Sequence, residues 1–225
     1  MTKFKELGLN DEILKSLEEM GFEEVFPIQE ACIPVLLSSR DVIGQAHTGS
    51  GKTAAFALAM LQQITPKKGI QGMVIAPTRE LAMQISVEIK KFAKYTGIRT
   101  ATVYGGQGMG IQLDALHRGV EIIVATPGRL IDMLERKVLK LDQIHRVILD
   151  EADEMLNMGF KEDIYNILSY TPKEKRIWLL SATMAGEIKK ITRNLSRLTV
   201  RFLNNRTRLI LDKSTLKIDG CNKSF

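Results

Sequence analysis

Between positions 41 and 64 an apolar run, "DVIG", leads into "QAHTGSGKT" and then into "AAFALAMLQQI". Two glycines with a serine, a lysine and a threonine make a poor core and a poor surface helix, but a good seat for phosphate. Glycine lets successive backbone N–H groups turn inward to form an anion nest, at φ angles that other residues resist. The pattern Ala46-x-x-x-x-Gly51-Lys52-Thr53 matches the phosphate-cradling loop, with Ala in place of its first glycine. In that loop Ala46, His47, Thr48, Gly49, Ser50 and Gly51 surround the phosphates, and Lys52 reaches the β- and γ-phosphates. The Thr53 hydroxyl joins the shell of a Mg²⁺ ion, and a helix beginning near Gly51 adds its positive end.

A phosphate loop needs a metal partner, and "RVILDEADEML" supplies one. The apolar run Val147-Ile148-Leu149 delivers Asp150 and Glu151 to a strand end. Asp150 would hold Mg²⁺ through its water shell, and Glu151 could orient and deprotonate an attacking water. Taken alone, the same residues also read as a strand cap and an acidic helix start.

The elements that position these groups follow from short runs rich in Val and Ile. Strands are predicted at 41–46, 72–77, 99–105, 121–126, 146–151 and 176–182. Helical patterns lie between them, such as "TRELAMQISVEIKKFAKYTG", where Leu81, Ile85, Ile89 and Phe92 recur at helical spacing. Strand and helix alternating in this way predict an α/β fold, a central parallel sheet with helices on both faces and right-handed crossovers. Ligands of such sheets sit at the carboxyl ends of the strands, where the motifs fall. Trp178, in "RIWLL", reads as buried core, and Met155 and Met158 read as packing beside the acidic motif. The texture changes near Asn194; a last strand plus a linker or extension is expected over 196–225, after a helical segment over 1–40 and the main domain over 41–195.

Composition narrows the setting. The 225 residues are 44% hydrophobic and 26% charged, ordinary for a globular protein. No run of about 18 apolar residues exists, and the first residues carry no apolar signal core. Cys32 and Cys221 have no spacing partners, so cysteines offer neither a disulfide framework nor a zinc site. A reducing, cytoplasmic setting without a membrane is expected, and a monomer. The net charge of +6 invites a polyanionic partner without requiring one.

"AHTGSGKT", "PTRELAMQ", "GG" at 105–106, "TPGR" at 126–129, "DEAD" at 150–153 and "SAT" at 181–183 occur together and in order, and the chain resembles the DEAD-box RNA helicase family over roughly residues 4 to 190. The part covered is similar to the first of that family's two RecA-like domains. The resemblance implies ATP and Mg²⁺ as ligands, with Lys52, Asp150 and Glu151 as the catalytic set. It implies an adenine site as well: Phe4, Gly21-Phe22 and Pro27-Ile28-Gln29 match the family's isolated aromatic, its adenine-stacking aromatic and its adenine-reading glutamine. An amide can both give and take hydrogen bonds at adenine N6 and N7, and an aromatic ring can cover the base. Read alone, Phe22 fits the core more readily. Where the family has Pro-Thr, this chain has Val25-Phe26.

The resemblance assigns single-stranded RNA to Pro77, Thr78 and Arg79, to Gly105 and Gly106, and to Thr126, Pro127, Gly128 and Arg129. Each set lies just past a strand end, offering hydroxyls, bare backbone or a guanidinium to phosphate oxygens. Such contacts follow backbone geometry rather than base sequence, so binding should tolerate sequence and weaken with salt. On its own, Arg79 could instead pair with Glu80 or Glu151, and a glycine pair can simply mark a turn. The family's "SAT" links the nucleotide site to domain closure, which assigns coupling to Asp153, Ser181, Ala182 and Thr183. The family's second RecA-like domain, with its arginine-bearing "HRxGRxxR" segment, has no counterpart after Thr183 in these residues. Those arginines are worth roughly 10³ to 10⁵ in rate in related enzymes, so little or no turnover by this chain is expected. A non-catalytic RNA- or partner-binding module is the competing reading. A GTPase is disfavoured by the lack of an Asn-Lys-x-Asp guanine reader.

Overall fold

Six short Val/Ile-rich segments form the strands of one sheet: β1 (Val42–Gln45), β2 (Gly72–Ile75), β3 (Thr100–Val103), β4 (Ile122–Ala125), β5 (Arg146–Leu149) and β6 (Arg176–Ser181). All six fall within the predicted spans and pair in parallel, in the order β3-β4-β2-β5-β6-β1. Register is fixed by the buried pattern, since a slip of one residue would turn every side chain to the other face. Ile148 lies opposite both Val74 and Trp178, for example. The structure is a computed structural model and describes residues 2–38, 40–45, 49–183, 207–212 and 215–219. Two further strands, β7 (Thr207–Asp212) and β8 (Thr215–Asp219), extend the sheet beyond β1. The first is parallel to β1 and the second is antiparallel to it, a hairpin appended to an otherwise parallel sheet.

Helices cover both faces. After a 3-10 turn (Phe4–Leu7) come α1 (Asp11–Glu19), α2 (Pro27–Leu37), α3 (Lys52–Leu61) and α4 (Arg79–Phe92). They enclose one apolar cluster with Val42, Val74, Val124, Ile148, Trp178 and Leu180. On the opposite face are α5 (Met109–His117), α6 (Pro127–Glu135), α7 (Ala152–Asn157) and α8 (Lys161–Ser169). The side chains that alternate with the first set, among them Val147, Leu149, Ile177 and Leu179, belong to this second cluster. Strands buried on both faces read as continuous apolar runs, which is the pattern of "RVIL" and "RIWLL".

Every residue of α3 except Thr53 is buried, as expected of a helix that is apolar all round. Trp178 is fully buried, and its indole N–H donates to the Arg40 carbonyl at 3.1 Å. Met155 joins the core, but Met158 follows the end of α7 and is exposed, so only the first of that pair packs as expected. Cys32 is buried in α2, and burial pushes its thiol up to about 12; it serves as a small apolar residue.

Candidate nucleotide and RNA site

Strand order sorts the chemistry. β1, β6 and β5 lie side by side and end in the phosphate loop, the "SAT" turn and the "DEAD" segment. β2, β4 and β3 form the other half and end in Pro77-Thr78-Arg79, Thr126–Arg129 and Gly105-Gly106. One carboxyl edge therefore carries two neighbouring sets of residues, joined where β2 meets β5.

In the phosphate loop, Ala46, His47 and Thr48 lie outside the described residues. Gly49 and Gly51 have φ of 81° and 89°, the left-handed values that turn N–H groups inward. The Ser50 hydroxyl between them is buried with no hydrogen-bond partner among the described residues, in a loop suited to anions. Lys52 is the first residue of α3, 7% exposed, and its charge reaches Asp150. Thr53 follows on the same turn, half-buried.

Asp150 sits just past β5, buried, and accepts the Glu151 backbone N–H at 3.0 Å. Burial raises its pKa to about 6, with Lys52 and the Glu151 N–H pulling the other way. A carboxyl whose charge is so poorly compensated fits a cation seat. The next residue, Glu151, has φ 50° and ψ 50°, left-handed for a non-glycine residue, and caps α7. Such conformations cost on the order of 1–3 kcal/mol and cluster at functional sites.

This acid gives the metal-free chain a defined pH response. The folded-state pKa of Asp150 lies above the ordinary value of 3.8, so the neutral form is favoured on folding. Its contribution to stability is complete below pH 4 and is lost as pH rises through about 6. The difference amounts to about 3 kcal/mol at roughly 1.4 kcal/mol per pH unit. Asp150→Asn mimics the neutral carboxyl, so its melting temperature should gain several degrees on the wild type between pH 5 and pH 7 without metal. A gap that stays constant over that range would contradict it.

Asp153, in the first turn of α7, meets the "SAT" segment. Its Oδ2 accepts from the Thr183 backbone N–H at 2.8 Å and from the Thr183 hydroxyl at 2.9 Å. The Ser181 hydroxyl donates to the Thr183 carbonyl at 2.6 Å, which holds the turn, and it too bears on the Asp153 carboxyl. Burial raises the Asp153 pKa, but the hydrogen bonds of Thr183 and Ser181 outweigh it and keep the carboxyl below its usual value. Ala182 offers its carbonyl to the Gln45 amide at 3.4 Å.

Around Gln29, Phe22 and Phe26 the structure adds detail that the sequence did not carry. Gln29 is 1% exposed. Its Oε1 accepts the Phe26 N–H at 3.0 Å, and its Nε2 donates to the Gly51 carbonyl at 3.4 Å. The first bond is the returning half of a capping box and steadies the start of α2, where Pro27 is the first helical residue. An amide has two lone pairs and two N–H bonds, so one of each remains for a ligand. Phe22 stands edge-to-face with Phe4 at 6.3 Å and with Phe92 at 5.8 Å. The exposed ring beside the phosphate loop is instead Phe26, at 56%. It lies 3.3 Å from where a Cβ on Gly51 would stand.

On the other half of the edge, Pro77 is buried, and the Thr78 hydroxyl caps α4 by accepting the Leu81 N–H at 3.2 Å. Arg79 is exposed, and its guanidinium lies 4.7 Å from the centre of the Tyr104 ring rather than against Glu80 or Glu151. Gly105 and Gly106 are exposed, the latter at φ 86°. Thr126 and Pro127 start α6, followed by Gly128 and Arg129, whose guanidinium donates to the Gln107 carbonyl at 2.9 Å. Tyr104, Gln107 and Gln112 belonged to no motif read from the sequence; only their spacing around the glycine pair hinted at them.

A sheet in this order, with a glycine loop after β1 and an acid pair after β5, defines a RecA-like phosphate-loop domain. The chain belongs to the DEAD/DEAH box helicase family, whose family model matches residues 26–191. It is 50% identical over 192 residues to the DEAD-box ATP-dependent RNA helicase CshA of Geobacillus kaustophilus, covering 85% of this chain and 41% of that protein. The CshA of Streptococcus pneumoniae is 52% identical over 190 residues, covering 84% of this chain and 36% of its own length. Among solved structures, a DEAD box protein from Methanococcus jannaschii superposes with a TM-score of 0.85 at 38% identity, over 93% of this chain and 56% of that one. A hypothetical ATP-dependent RNA helicase from Sulfolobus tokodaii gives 0.81 at 37%, over 90% and 57%. The chain thus spans well under half the length of these curated relatives. Among the described residues no helix is long and apolar enough to cross a membrane.

Proposed function

We propose that this chain is the ATP- and RNA-binding first domain of an RNA helicase, in which ATP hydrolysis drives local separation of RNA strands together with a second RecA-like domain. The observation that carries this reading is that Lys52, Asp150 and the left-handed glycines share one strand edge with the loops that follow β2, β3 and β4. Lys52 and the loop N–H groups hold the phosphates. Asp150 and Thr53 would hold Mg²⁺, partly through water, and the ion supplies positive charge to the phosphate oxygens. Glu151 takes the proton of the attacking water as its oxygen bonds the γ-phosphorus. The bond from that phosphorus to the bridging oxygen breaks, and ADP leaves with the electron pair. Thr183 and Asp153 tie the nucleotide half to the "SAT" turn, through which closure is transmitted. RNA lies along Arg79, Gly105-Gly106 and Arg129 by its backbone. A cytoplasmic monomer in the absence of partners completes the proposal.

The nucleotide assignment is tested by comparing ATP with GTP. The free lone pair and N–H of Gln29 match adenine and mismatch guanine, so ATP should bind on the order of tenfold tighter. Gln29→Ala should remove most of that preference and leave inorganic tripolyphosphate binding within about twofold. Loss of the capping contact costs about 1 kcal/mol, so binding is measured well below the melting temperature. Equal affinity of the wild type for ATP and GTP would sink the adenine-reading role.

A further inference from the structure

The two guanidinium groups assigned to RNA come from different helices, yet both rest on the single loop that follows β3. Arg79, at the start of α4, lies over the Tyr104 ring at 4.7 Å. Arg129, at the start of α6, is bound to the Gln107 carbonyl at 2.9 Å. A Cβ on Gly106 would approach the Arg79 guanidinium to 3.3 Å, so the loop also borders Arg79 on its glycine side. The loop is itself fastened from within. Gln112 is buried in α5, and its Oε1 accepts the Tyr104 N–H at 3.2 Å. Its Nε2 donates to the Tyr104 carbonyl at 2.9 Å and to Gln107 Oε1 at 3.3 Å. One buried amide thus satisfies both backbone groups of Tyr104 and steadies Gln107.

We propose that Tyr104 and Gln112 are positioning residues for RNA: the ring and the buried amide set the loop against which Arg79 and Arg129 are held in reach of the phosphate backbone. This rests on the RNA-face reading above. An arginine on a flexible stem pays rotamer entropy when it orders on a phosphate. A ring beneath one guanidinium and a carbonyl beneath the other settle part of that cost before RNA arrives. The tyrosine hydroxyl takes no part, so the ring face is the requirement.

The test is the affinity of this chain for fluorescein-labelled oligouridine and for a mixed-sequence RNA of equal length, by anisotropy at low salt. Tyr104→Leu should weaken both on the order of fivefold. Tyr104→Phe should stay within about twofold of the wild type, and the affinity for MgATP should not change. In an Arg79→Ala background Tyr104→Leu should have little further effect, because the ring acts through that guanidinium. The same fivefold loss in the Arg79→Ala background, or no loss in the single variant, would overturn the positioning role. Should Tyr104→Leu lower the melting temperature too far for binding to be read, the Arg79 side-chain proton resonances decide. They should be shifted upfield by the ring in wild type and in Tyr104→Phe, and unshifted resonances would overturn the proposal. If Arg79→Ala and Arg129→Ala leave RNA binding unchanged, the RNA-face reading itself fails and the positioning role goes with it. Loss in those variants without loss in Tyr104→Leu removes only the positioning role.

Discussion

Replacing Lys52 with alanine is expected to weaken MgATP binding by roughly 10- to 100-fold while leaving the fold in place, the range set by one or two charge-assisted hydrogen bonds. The lysine is the first residue of α3 and almost wholly buried, and its charge bears on Asp150. Alanine at that position suits the helix, and α3 is held by an apolar surface that the substitution does not touch. The neighbouring acid responds too. Lys52 is the main influence pulling the Asp150 pKa down, so without it that pKa rises further above about 6. Metal-assisted binding at neutral pH should therefore fall more than binding of metal-free nucleotide. An unchanged MgATP affinity would show that the nucleotide does not use this loop.

Much of this site was legible before any coordinates. The strands were visible because each is a short Val/Ile run buried on both faces, and their motifs fall at the carboxyl ends, where ligands of open parallel sheets sit. The order of the strands was not legible, since pairing β2 with β5 or β6 with β1 depends on packing between residues far apart in sequence. Gln112 was hidden because it acts on Tyr104 from another element, and the capping role of Gln29 because the residue three before it, Phe26, has no side-chain acceptor to signal a cap. Phe26 read as a departure from family habit, and only the fold shows that it leaves an exposed ring against Gly51. Phe22 looked like a base platform from its motif, while its edge-to-face contacts with Phe4 and Phe92 are those of a packed ring.

The second large effect concerns turnover. The 225-residue chain should bind MgATP yet hydrolyse it no faster than its Glu151→Gln variant, with or without single-stranded RNA. In the proposed mechanism Glu151 is the base; it stands in a left-handed conformation directly after Asp150. In the proposed function, the positive charge that meets the transferred phosphoryl group from the far side comes from the second RecA-like domain. In related phosphate-loop enzymes such arginines are worth roughly 10³ to 10⁵ in rate, enough to separate a working enzyme from a blank. Joining the chain to a second RecA-like domain that carries them should restore RNA-stimulated hydrolysis, and Glu151→Gln should then cost about 10²- to 10⁴-fold. RNA-stimulated turnover by the chain alone, abolished in the variant, would mean that one domain suffices and that the arginine requirement is wrong.

The central claim is that one strand edge holds nucleotide on its β1–β6–β5 half and RNA on its β2–β4–β3 half. The most direct measurement is the affinity of Lys52→Ala and Arg79→Ala for MgATP and for labelled single-stranded RNA, four values set against two for the wild type. Lys52→Ala should lose nucleotide and keep RNA; Arg79→Ala should weaken RNA alike across unrelated sequences and keep nucleotide. If each variant lost both ligands, or if Arg79→Ala lost nucleotide and Lys52→Ala lost RNA, the division of the edge would be wrong.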